Sequence, residues 1–196
     1  PLLLHELSCR STSPLNVTKV AQELGRTTRI FEVRLTRLVN SFAALHCPKR
    51  SDVGSRIAGA ASKVYLTDPV LAWLPSRLRN GLAAPDMTAL TEAAIAEHLA
   101  RAIEAQEEGR WVTGDTIGYA RTDSDNEVDF APVSLPTTSG AATTTPLESK
   151  WVDSHWRSEA RVIEGKYARG IVATKSILAT GHKTWAVHAP LVALLL

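Results

Sequence analysis

The sequence predicts an α/β fold behind a small basic helical unit, and three observations carry that expectation. Charge is unevenly spread: residues 1–63 hold ten Lys/Arg against four Asp/Glu, and residues 64–196 hold twelve against sixteen. From residue 86 onward, segments with helical and strand periodicity follow in the order helix, three strands, helix, strand. Two of those strand segments, 127–130 and 147–151, share a polar/apolar alternation that lines up carboxylates and a lysine. The change of charge suggests two units with different partners, 1–62 and 63–196.

Composition narrows the class. With 44% hydrophobic and 21% charged residues, the 196-residue chain reads as an ordinary globular protein. Cys9 and Cys47 have no metal-ligand spacing and form no disulfide framework, which makes a reducing cytoplasm the expected setting. No apolar run approaches the roughly 20 residues of a membrane span. The longest, Leu191–Leu196, has six, and no secretory signal pattern opens the chain. The start at Pro1, without methionine, reads as a fragment lacking its N-terminal portion.

In the basic unit, Asn16 is a good N-cap for a helix carrying Val17, Val20, Ala21 and Leu24 on one side, with Gly25 as its stop. A second helix is expected over about Thr27–Asn40. Phe31, Leu35, Leu38 and Val39 form its apolar stripe, and Arg26, Arg29 and Arg37 point the other way. Ile30 and Val33 fall on the basic side. A short helix, a glycine turn and a basic second helix make a helix-turn-helix, with Ser41–Lys63 supplying a wing and the crossing to the next unit. Such a unit binds nucleic acid through its arginines or serves as a protein-protein adaptor.

Lys63–Asp68 reads as a short strand stopped by a proline turn, with Val64 and Leu66 inward and Asp68 closing the turn before Pro69. Leu71, Trp73 and Leu74 continue as a hydrophobic turn. A helix follows from about Asp86 to Gln106, burying Ile95, Leu99, Ala102 and Ile103. Glu92 lies on that buried face, where a carboxylate needs a partner, a metal or the helix dipole.

Trp111–Arg121 ends in a strand, and Thr122–Asn126 turns the chain back into Glu127–Phe130. Residues 131–146 are rich in Pro, Ser, Thr, Gly and Ala without a charge, and read as an extended loop. After the strand at 147–151, Asp153 or Ser154 caps a helix to about Ala168, with Trp156, Ala160, Ile163 and Tyr167 inward and Gly170 as its stop. Ile171–Leu178 and Trp185–His188 complete the strands.

Alternation puts Glu127 and Asp129 on one face of their strand, and Val128 and Phe130 on the other. If the strands at 127–130 and 147–151 are neighbours, Asp129, Glu148 and Lys150 converge. Two carboxylates and an ammonium suit a divalent cation and an attacking water, since hard oxygens hold Mg²⁺ and a lysine orients the nucleophile. The same residues also describe two solvent-facing polar strands joined by a salt bridge.

Lys63-Val-Tyr-Leu-Thr-Asp-Pro69, the helix around Thr91-Glu92, Arg121 with Glu127-Val-Asp-Phe130, and Glu148-Ser-Lys150 follow in order along essentially the whole chain. In these motifs the sequence resembles the C-terminal half of a prokaryotic AAA-type ATPase family. There the ATPase module precedes a winged helix and a domain similar to the PD-(D/E)xK, restriction-endonuclease-like superfamily. The resemblance implies a mixed sheet flanked by helices behind a winged helix. It matches Asp129, Glu148 and Lys150 to catalytic positions and Glu92 to a helical acidic one, with Glu92, Asp129 and Glu148 holding Mg²⁺ or Mn²⁺. The longer 131–146 segment and Ser149 between Glu148 and Lys150 depart from the pattern. One implied function is nucleic-acid binding with a metal-dependent nuclease site. The other is a non-catalytic regulatory or protein-interaction module of the ATPase. No G-x-x-x-x-G-K-[ST] phosphate loop occurs here, so ATP hydrolysis is assigned to the missing portion.

Overall fold

The computed structural model describes residues 2–10, 12–80, 86–106, 116–135 and 143–196. Those residues form a mixed α/β protein of seven helices and several small sheets.

Helix α1 (Leu2–Cys9), which sequence reading did not anticipate, precedes α2 (Val17–Glu23) and α3 (Thr28–Asn40). Asn16 caps α2 as expected, and Thr27 caps α3. Asn16 Oδ1 accepts from Lys19 N–H at 2.9 Å and Thr27 Oγ1 from Ile30 N–H at 3.3 Å. Gly25 turns the chain after α2 at φ 61°, the left-handed conformation that glycine adopts without strain. Phe31 is buried in a cluster with Leu7, Leu15, Val20, Ala21 and Ala44, and Leu35, Leu38 and Val39 pack on its margin. Ile30 and Val33 remain exposed, so they are no part of that apolar stripe.

Strands β1 (Ala44–Cys47) and β2 (Lys63–Leu66) then pair antiparallel. The side chains of β2 alternate between two cores. Val64 and Leu66 complete the cluster around Phe31, whereas Tyr65 joins Cys47, Ile95, Leu99 and Phe130 in a second one. Beyond it, the stretch Leu71–Leu74, expected as a turn, belongs to the 12-residue helix α4 (Pro69–Asn80). The physical reason is the position of the proline. At the first helical residue its missing N–H costs nothing, and Asp68 Oδ1 accepts from Val70 N–H at 2.7 Å to start the helix.

Helix α5 (Met87–Gln106) opens on Asp86, whose Oδ1 accepts from the N–H groups of Thr88 and Ala89. Ile95 and Leu99 are buried on it, with Ile103 at the edge of the same cluster. Strands β3 (Ala120–Arg121) and β4 (Glu127–Val128) form the expected hairpin; residues 107–115, including Trp111, lie outside the described residues. The expected open loop at 131–146 is partly a β-ribbon. Its arms β5 (Ser134–Leu135) and β6 (Thr143–Thr144) pair antiparallel, and Thr145 N–H donates to Val133 O at 2.7 Å. Threonine suits such a ribbon because its branched side chain fits a pleated surface. The tip, 136–142, lies outside the described residues.

Strands β7 (Leu147–Ser149), β8 (Gly170–Thr174) and β9 (Thr184–His188) make a parallel sheet in the order β7-β8-β9. Helix α6 (Trp156–Lys166) connects β7 to β8, and α7 (Ala189–Leu195) closes the fold. Leu147, Ala173 and Val187 face the cluster that includes α5 and α7; Val172 and Ala186 face Trp156, Ala160 and Ile163 of α6. The boundaries of α6 differ from expectation. His155 occupies the N-cap, because Asp153 is engaged by the N–H and hydroxyl of Ser176. The helix ends at Lys166, and Gly170 is the first residue of β8 rather than a helix stop. Among the described residues, no helix is long and apolar enough to cross a membrane.

Candidate functional site

The parallel sheet meets the β3–β4 hairpin through one antiparallel pair, Phe130 and Leu147, which exchange two backbone hydrogen bonds at 3.0 and 2.9 Å. That register sets Asp129 directly across from Glu148. The ladder does not simply continue from there. Ala120 pairs with Val128, yet Ala131 N–H donates to Gly118 O, so the hairpin slips by one residue at Asp129–Phe130, a β-bulge. The bulge overturns the expected common face for Val128 and Phe130. Val128 packs with the α6 cluster and Phe130 with the α5 cluster.

Side chains take over where the ladder stops. Ser149 N–H donates to Asp129 Oδ2 at 2.9 Å, and Asp129 N–H donates to Glu148 Oε2 at 3.0 Å. Lys150 Nζ lies 3.0 Å from Glu148 Oε1, at a side-chain exposure of 36%. Glu92, on α5, is buried as its place on the apolar face required. The structure therefore draws Glu92, Asp129, Glu148 and Lys150 into one connected cluster.

What joins Glu92 to Asp129 is Lys63, which sequence reading assigned no site role. Its ammonium has no exposed surface. Nζ donates to Glu92 Oε1 at 2.9 Å and Asp129 Oδ1 at 2.8 Å, and lies 2.7 Å from Glu127 Oε1. Tyr65, two residues along β2, donates its hydroxyl to the same Glu92 oxygen at 2.7 Å. The Tyr119 ring lies under the ammonium, 5.7 Å from Nζ to its centroid. Arg121 reaches the outer side of Glu127 at 3.4 Å.

No family model, curated protein or solved structure matches this chain.

Burial works against charge on Lys63, but Asp129, Glu92 and Glu127 together outweigh it and hold the ammonium well above its ordinary pKa. Lys150 is likewise pushed up to about 12, Glu148 overcoming its partial burial. Burial, reinforced by Asp129, pushes Glu92 up to about 7 and Glu148 well above the usual carboxylate range. The common upward direction fits one account. Four carboxylates (Glu92, Glu127, Asp129, Glu148) face two ammoniums and a guanidinium (Lys63, Lys150, Arg121), so negative charge is in excess and a proton relieves it. The nearby Cys47 thiol is fully buried, and that burial pushes its pKa up, away from a reactive thiolate.

This arrangement does not fit the expected Mg²⁺. The inward oxygens of Glu92 and Asp129 converge on an ammonium, the other Asp129 oxygen accepts a backbone N–H, and both Glu148 oxygens have donors. Among the described residues, no group of three or more His, Cys, Asp or Glu side chains is arranged to hold a metal ion. Sequence reading missed Lys63, Tyr65 and Glu127 because a polar residue alternating with apolar ones in a short strand signals a solvent-facing side. Here that second side is another core.

The arginines expected to touch nucleic acid stand apart from this cluster. Arg26 precedes α3, and Arg29 and Arg37 lie on it; all three are exposed, as is Arg34 on the same helix.

Proposed function

We propose that this chain is a nucleic-acid-binding module that does not hydrolyse its ligand. In this reading a winged helix precedes a restriction-endonuclease-like α/β unit, and the chain follows an ATPase module in its parent protein. The observation that carries the binding role is the exposed basic helix α3, set in the order α1-α2-α3-β1-β2 that a winged helix uses. Arg26, Arg29, Arg34 and Arg37 give it cations without a buried partner to hold them, and phosphate contact is the chemistry such a face offers. The endonuclease-like part of the reading is supported by the mixed arrangement of the β3–β4 hairpin against β7-β8-β9, and by Asp129 facing Glu148. Lys63 among the carboxylates argues against hydrolysis.

Fluorescence anisotropy with a labelled duplex tests the proposal. Binding should weaken steeply with salt, log K falling by about 0.9 for each phosphate neutralised per tenfold rise in salt. Replacing Arg26, Arg29 and Arg37 together by alanine should lower both the affinity and that slope. Unchanged binding in the triple variant would move the role of α3 to a protein partner. Cutting of DNA or RNA by the wild-type chain with Mn²⁺, abolished by EDTA, would overturn the non-hydrolytic part.

A further inference from the structure

The three carboxylates around Lys63 come from two different parts of the chain: Glu92 from the middle of α5, Glu127 from β4 and Asp129 from the bulge that follows it. An ammonium has three N–H groups; Lys63 Nζ donates to Glu92 Oε1 at 2.9 Å and Asp129 Oδ1 at 2.8 Å, and Glu127 Oε1 lies 2.7 Å away. The stem of Lys63 is fixed as well, since β2 is paired along its length with β1 and Cys47 is its register partner. Each of the three acids turns an oxygen toward one point, and so much buried negative charge in one place calls for a cation. The point is already filled from within the chain.

We propose that Lys63 is the resident cation of this acidic site. Its tethered ammonium takes the position at which a divalent ion would join Glu92 to Asp129, and so closes the folded chain to Mg²⁺ and Mn²⁺ there. The converse follows from the same geometry. A short neutral residue at position 63 leaves Glu92, Glu127 and Asp129 around a vacated volume with their charge uncompensated. Their oxygens, now 2.7–2.9 Å from Nζ, then need to move inward by roughly 0.6–0.8 Å to reach the ~2.1 Å of Mg²⁺–oxygen bonds. The inference is independent of DNA binding by α3, and its test contains no nucleic acid.

The test compares melting of the full chain and of Lys63→Ser, each with and without millimolar Mn²⁺, beside calorimetric titration with the same ion. Wild type should show no heat of binding and no shift in Tm. Lys63→Ser should melt lower than wild type without metal and regain part of the loss when Mn²⁺ is added, with one ion bound per chain. Saturable Mn²⁺ binding by wild type that is lost in Asp129→Asn would overturn the proposal, as would a folded Lys63→Ser variant indifferent to Mn²⁺. Should Lys63→Ser fail to fold under either condition, wild type still decides the matter. Proton–nitrogen correlation spectra tuned to lysine ammoniums should show one slowly exchanging signal near neutral pH, absent in Lys63→Arg and unmoved by Mg²⁺. No protected ammonium, or one displaced by Mg²⁺, would overturn it.

Discussion

Glu92 shows how a single side chain couples the buried cluster to pH. Burial and Asp129 push its pKa up to about 7, against about 4.3 for an unfolded glutamate, and Glu148 is raised for the same reasons. Between those values the folded chain binds more protons than the unfolded chain. Stability therefore falls as pH rises, with a slope of about 1.4 kcal/mol per pH unit for each proton retained. Below the unfolded value the penalty is absent; above about 7 the Glu92 contribution is complete. Lys63 adds nothing in this window, because it stays protonated in both states. Urea denaturation at pH 5, 6, 7 and 8 should show the decline, and Glu92→Gln should flatten it. Stability rising over that range would mean that ion pairing to Lys63 outweighs burial at Glu92. None of this was legible in the sequence beyond the place of Glu92 on an apolar helix face. That Glu92 needed a partner could be read; that the partner was Lys63, 29 residues away, could not.

At the scale of the element, what could be read depended on periodicity and caps. Helices α2, α3 and α5 lie close to the bounds read from their periodicity and, for α2, its Asn16 cap; Thr27 and Asp86 satisfy free N–H groups at the other two helix starts. The hairpin and the strands β7, β8 and β9 followed from alternation and turn residues. Helix α4 was missed because Asp-Pro signals a turn as readily as a helix start, and the bulge was missed because one inserted residue leaves no compositional trace. Gly170 was given the wrong reason. Its hydrogen is needed for close approach, since a Cβ there would sit 2.5 Å from Ile163 Cγ2 and 2.9 Å from the Pro146 carbonyl oxygen. Gly170→Ala should therefore destabilise by about 1–3 kcal/mol through overpacking of α6 against the start of β8. Gly165, inside α6, has nothing within 4 Å of its would-be Cβ, and Gly165→Ala should be neutral or slightly stabilising. A fall in the urea midpoint for the first variant alone, at constant m-value, is the expected result.

For the whole molecule, β2 decides how the two parts of the chain depend on each other. The change of charge places a division after residue 62, and β2 begins at the next residue. This strand supplies β1 with its antiparallel partner and gives Val64 and Leu66 to the core around Phe31. Its other side supplies Lys63 and Tyr65 to the buried cluster. Helix α4, which follows it, packs against α1 and contributes Leu71 and Ala72 to the same first core. A chain cut after Ser62 loses the burial of Val64 and Leu66, about 1.5–3 kcal/mol each, together with the ladder that closes β1. For so small a core that is a large share of the total stability. A chain cut after Asn80 keeps both, and frees Lys63 and Tyr65 to meet water through polar groups. The expected outcome is that residues 1–80 unfold cooperatively by circular dichroism, whereas residues 1–62 show low helicity and no thermal transition. Equal, cooperative melting of the two would place the structural division at residue 62, where the charge changes, and would make β2 a guest of the first core rather than a part of it.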